Sequence, residues 1–135
     1  MTKEVGMRPD RERIVGILVV LIALHSVGVG VVLVFFPAFA VRFGGWGNAD
    51  PLFFPRQGGA FHFVLVAAYL IDWFRHRSVA ILVTAKGIAF TFLLGAFLAG
   101  ERAWSVPLSG VSDGAMGLVA WAAVRWAAAR ETARG

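Results

Sequence analysis

Four apolar stretches alternate with short polar ones along the chain: Ile14 to Phe36, a second ending at Phe74, Val79 to Gly100, and Val106 to Ala129. Each reads as a helix long enough for a hydrocarbon core of about 30 Å at about 1.5 Å per residue. The predicted spans are about 14–36, 56–74, 78–100 and 105–128. The first run is too long for a signal-peptide core and lacks a small-residue cleavage site, so it reads as a retained helix. The second runs from Gly58 and extends back to Pro51 if Asp50 caps a helix with that proline at its first position. Four crossings place both termini on one side. The predicted fold is all-α: a single-domain (1–135) integral membrane four-helix bundle.

Composition strengthens this reading: the chain has 135 residues, 59% of them hydrophobic and 16% charged, and a mean hydropathy of +0.74. A water-exposed globule of that size could hardly cover itself with polar side chains. The absence of cysteine excludes disulfides, thiolate catalysis, iron–sulfur clusters and thiolate-bound zinc.

Charge then sets orientation. Lys3, Arg8, Arg11 and Arg13 precede the first span, Arg75 and Arg77 follow the second, and Arg125, Arg130 and Arg134 end the chain, whereas the opposite face carries Arg42, Arg56 and Arg102. The positive-inside tendency makes both termini cytoplasmic and turns the Pro37–Gln57 and Glu101–Ser105 connections outward. The net charge of +5 is accounted for by topology and attraction to anionic membrane lipids, and no nucleic-acid motif is present. The Pro37–Gln57 connection, with Phe39, Phe43, Trp46, Phe53 and Phe54, suits the membrane interface and could cover the bundle as a lid. Trp104, and at the other boundary Trp73, Trp121 and Trp126, fit an aromatic belt.

Against this apolar background a few polar groups stand out. Lys86 lies inside the third run and Asp113 early in the fourth, and an unpaired ionised group in hydrocarbon is costly. Helical spacing groups Gly58, Gly59, His62, Val66 and Tyr69 on one face, and Leu18, Leu21, His25, Gly28 and Val32 on another. Lys86 shares its face with Ala89, Phe90, Leu93 and Phe97. Gly110, Gly114 and Gly117 form a small-residue stripe beside Asp113, suited to close helix approach or self-association. Lys86 and Asp113 should differ in height by about 6 Å, within reach of a lysine, so an ion pair between them is predicted.

Several uses of these groups compete. The plainest is a buried bridge that fixes helix packing, with the histidines as hydrogen-bonded core residues. The cluster of His25, His62, Lys86 and Asp113, with Arg56 and Gln57 at the outer entrance, could instead bind a lipophilic small molecule; Arg56 and Gln57 could bind a lipid phosphate, but snorkelling to the interface is the favoured reading. In an enzyme doing isomerisation, cyclisation or hydrolysis on a lipophilic substrate, Asp113 would be the general acid or base, with His62 assisting, Lys86 tuning the carboxylate and Tyr69 or His25 orienting the substrate. Proton or ion conduction along the same groups ranks lower, since so short a chain offers no alternating repeat. Haem ligation by His25 and His62 is disfavoured for lack of supporting sequence context. A metal is not expected, because no close-spaced ligand pair is present.

The runs Phe54-Pro55-Arg56-Gln57-Gly58-Gly59-Ala60-Phe61-His62, Ala85-Lys86-Gly87 and Ser109-Gly110-Val111-Ser112-Asp113-Gly114-Ala115-Met116-Gly117 resemble the pattern of the DoxX-like families of small four-span bacterial membrane proteins. The resemblance covers about Ile14 to Val124. It implies a bacterial inner-membrane location and an accessory role in a larger membrane complex or a quinone-related one, and it carries over no catalytic residues. Two expectations of function remain open: a binder of a quinone or lipid, or accessory subunit, and a membrane enzyme acting on a lipophilic substrate.

Overall fold

A computed structural model describes residues 9–129, and Lys3, Arg8, Arg130 and Arg134 of the charge pattern lie outside them. Among the described residues the chain forms five helices and no strand: α1 (Pro9–Phe35), α2 (Pro37–Phe43), α3 (Phe53–His76), α4 (Ala80–Leu98) and α5 (Ser105–Ala128). Four are long, and the short α2 occupies part of the Pro37–Gln57 connection. Of the long helices, α1 and α4 are long and apolar enough to cross a membrane.

Local chemistry explains the boundaries. Asp10 and Glu12 lie in the first turn of α1, where carboxylates complement the helix dipole. The ring of Pro37 cannot continue α1 and instead opens α2, where its missing N–H costs nothing. The second long helix starts at Phe53, with Leu52 at its N-cap, so Asp50 does not cap a helix beginning at Pro51. Pro55 falls in the first turn, where no N–H partner is needed. At the end of α4, Gly100 adopts φ +111°, its N–H bonds to the Phe97 carbonyl and that of Glu101 to the Ala96 carbonyl, the paired pattern of a glycine-terminated helix.

Contacts at the two ends establish an up-and-down order for the four long helices. At one end, Arg11 Nη1 donates to the Trp126 carbonyl at 3.2 Å and Glu12 pairs with Arg77 Nε at 2.9 Å, so the start of α1, the α3–α4 turn and the end of α5 gather together. We call this the terminal end. At the distal end, Trp104 Nε1 donates to the Phe43 carbonyl at 2.7 Å and Ser105 Oγ to the Gly44 carbonyl at 2.7 Å, docking the end of α2 on the start of α5. The connection is thereby tied down beside α5.

The helices associate chiefly as two antiparallel pairs, α1 with α3 and α4 with α5. In the first pair Gly30 and Gly59 allow backbone approach: a Cβ on Gly59 would stand 2.8 Å from the Gly30 carbonyl oxygen and 2.8 Å from Val34. In the second, Cβ atoms on Gly110, Gly114 and Gly117 would meet Leu93, Phe90 and Lys86 at 3.2, 2.8 and 3.1 Å. The glycine stripe of α5 is therefore spent on packing against α4 and is not a free face for self-association.

One connected apolar core lies in the terminal half, and Val41, Ala103 and Val106 are buried separately at the distal end. In the connected core, Val15, Val19 and Ile22 of α1 pack with Tyr69 and Trp73 of α3, Val79 and Leu82 at the start of α4, and Ala120 and Ala127 of α5. Trp73 is a core residue rather than a member of a boundary belt, because Gly16 makes room for its indole: a Cβ there would lie 2.9 Å from Nε1. Trp121 and Trp126 are exposed, with Arg125 and Arg11 over their rings at 5.6 and 4.6 Å.

Candidate functional site

The polar groups sit where that core stops. Lys86 is buried on the inner face of α4, and its Nζ meets Asp113 Oδ1 at 2.5 Å. Because Gly117 lies opposite Lys86 and Gly114 opposite Phe90, Asp113 stands about one helical turn, about 6 Å, distal to the Lys86 backbone. The lysine stem covers that offset along Gly117 and delivers its ammonium to the carboxylate. The side chains are 4% and 16% exposed, so the carboxylate retains an accessible edge. Such a pair offsets much of the desolvation of two charges, whereas removing one partner typically costs about 3–5 kcal/mol.

Two residues of α3 complete the surroundings. His62 and Tyr69, two turns apart on one face, both lie within electrostatic range of Asp113, and His62 also of Lys86 and His25. Tyr69 is buried and belongs to the edge of the apolar core. His62 is half-buried, yet its Nδ1 is enclosed and has no hydrogen-bond partner among the described residues. A buried polar atom left unpaired costs about 1–3 kcal/mol, so it calls for an explanation.

The structure thus brings together Lys86, Asp113, His62 and Tyr69. It corrects the expectation for α1, whose buried stripe is Val15, Val19, Ile22, Ala23, Ser26 and Gly30. The face shared by Leu21, His25 and Gly28 is exposed; the interface with α3 through Gly16 and Gly30 rotates it outward. His25 is close enough to act on His62 electrostatically but lies on the flank. Arg56 and Gln57 are exposed on the first turns of α3, beyond the cluster. No group of three or more potential metal ligands is present among the described residues.

Two buried polar residues were not anticipated. Asp72 Oδ2 accepts the Ile81 N–H at 3.0 Å, and Ser78 Oγ accepts that of Ala80 at 3.0 Å, so both serve the exposed N–H groups that open α4. The signal was an aspartate close before a short polar turn. Ser26, fully buried on α1, has an Oγ without a partner; in the sequence it is one small polar residue in a long apolar run.

Distal to the ion pair, Leu33, Val66, Ala89, Leu93 and Phe97 are half-buried. The arrangement is a neutral ion pair and an unpaired imidazole above an apolar floor, chemistry suited to hydrogen-bonding a small polar head. No protein-family model, curated protein or solved structure matches the chain.

Proposed function

We propose that this protein is a four-helix bundle of a bacterial inner membrane that binds a lipophilic molecule by its polar head at Lys86, Asp113 and His62, close to Tyr69. The membrane part is supported by surface chemistry. Only 28% of the apolar window of α1 and 11% of that of α4 is buried, unlike the core helix of a water-soluble protein. Ile14, Ile17, Leu21, Leu24, Ile88, Phe92, Val111 and Leu118 are among the many large apolar residues on the outside, far more than a soluble monomer exposes. With Arg11, Arg13, Arg75, Arg77 and Arg125 toward the terminal end, that end is cytoplasmic.

One observation carries the ligand reading: the enclosed, unpartnered Nδ1 of His62 beside a buried ion pair. Ionisable groups in membrane segments are expensive and usually serve a ligand, ion or proton pathway. The resemblance to the DoxX-like families makes a quinone one candidate beside a membrane lipid, and an accessory place in a larger membrane complex the biological setting.

Purification in mild detergent followed by native mass spectrometry, lipid extraction and an absorption spectrum tests this reading. A lipophilic molecule retained at one per chain is the expected result. A homogeneous, ligand-free species from fresh membranes contradicts it.

A further inference from the structure

The register of the α1–α3 pair places a second orphaned polar atom on the facing helix, within about a turn of the height of the first. A Cβ on Gly30 would meet the Gly59 carbonyl and the Phe63 ring, and one on Gly59 would meet Leu33 and Val34; one helical turn toward the terminal end of this antiparallel pair, Ser26 falls at the height of the Phe63–Val66 turn, which follows His62. Ser26 is fully buried, and its Oγ, like His62 Nδ1, has no partner among the described residues. Two enclosed groups on facing helices within about a turn of one height, both unpaired, point to a missing partner with its own hydrogen-bonding atom.

The ion pair restricts what that partner can be. Lys86 and Asp113 already neutralise each other, and neither His62 nor Ser26 carries a fixed charge. A charged head entering here would leave one charge without a counter-ion in a poorly solvated place. An uncharged oxygen head, a hydroxyl or carbonyl, meets the available chemistry: Ser26 Oγ donates or accepts, the imidazole does either according to its tautomer, and Lys86 has donors beyond the one directed at Asp113. The half-buried Leu33, Val66, Leu93 and Phe97 on the distal side give a lipophilic tail apolar surroundings.

Resting on the binding reading above, we infer that Ser26 belongs to the site and that Ser26 and His62, beside the neutral Lys86–Asp113 pair, select an uncharged hydroxyl or carbonyl head on a lipophilic chain. The test uses three probes with the same ten-carbon tail: decanol, decanesulfonate and decyltrimethylammonium. Each is titrated into protein carrying 15N-labelled imidazoles in nanodiscs, with the His62 resonance assigned from its loss in His62→Gln. Decanol is expected to shift that resonance saturably, at least tenfold more tightly than either charged probe, and Ser26→Ala to weaken decanol at least fivefold. A charged probe binding as tightly as decanol overturns the neutral-head inference and leaves the binding reading standing. Unchanged decanol affinity in a folded Ser26→Ala protein removes Ser26 from the site. No saturable shift with any probe overturns the inference and the binding reading together.

Discussion

Lys86 and Asp113 are joined across the α4–α5 interface at 2.5 Å although Asp113 stands a helical turn distal to the Lys86 backbone. The stem of the lysine runs past Gly117, where a Cβ would approach its own Cβ to 3.1 Å, and the ammonium emerges at the upper edge of the apolar core. The pair therefore lies between the connected apolar core and the stretch of α3 that carries His62. Its position gives it both a packing role and a place in the proposed site.

Because each partner neutralises the other, single replacements should be worse than the double. Lys86→Met and Asp113→Leu are each expected to destabilise the bundle by about 3–5 kcal/mol, and the double variant to recover most of that loss. Reversible unfolding in mixed detergent micelles measures the cycle, and additive losses would show that the two side chains act independently.

Helix approach at Gly59 should be far more sensitive than at Gly87. A methyl on Gly59 meets the Gly30 carbonyl and the Val34 side chain at 2.8 Å, whereas one on Gly87 meets nothing within 4 Å. Gly59→Ala is expected to cost about 1–3 kcal/mol by forcing α1 and α3 apart, and Gly87→Ala to be neutral or stabilising by up to about 1 kcal/mol. The same unfolding measurement compares them.

His25 and His62 should separate cleanly. His25 lies on the exposed flank of α1 and His62 beside the ion pair, so His25→Ala is expected to leave ligand retention and stability near the parent values. His62→Gln should lower retention at least tenfold. Equal effects in quantified lipid extracts would contradict this division.

Sidedness is directly measurable because the chain has no cysteine. Asn48 lies in the distal connection and His76 at the terminal end of α3, both exposed. Asn48→Cys should react with an impermeant maleimide added outside intact cells, and His76→Cys only after permeabilisation. The reverse pattern would invert the orientation.

Much of the helical layout was legible because apolar runs broken by proline, glycine and charge leave few alternatives, and the Lys86–Asp113 meeting followed from helical rise and side-chain reach. Helix rotation was not legible in α1. Its residues are apolar nearly all round, so periodicity alone did not distinguish the stripe through Ser26 and Gly30 from the one through His25 and Gly28. What decides between them is the Gly30–Gly59 and Gly16–Trp73 contacts, which are long-range. Trp73 misled for a related reason: an aromatic near the end of an apolar run suits an interface equally well, and only the space left by Gly16 turns it inward. Ser26 escaped notice because a lone small polar residue carries no spacing signal, whereas Asp72 had one in the short polar turn that follows it.

The central claim, that a lipophilic molecule is held at the Lys86–Asp113–His62 cluster, is tested most directly by native mass spectrometry of the parent protein beside the Lys86→Met/Asp113→Leu double variant, which keeps the volume of the pair and removes its polarity. The account predicts one retained lipophilic adduct per chain in the parent and none in the equally folded double variant. The same adduct at the same occupancy in both would contradict it.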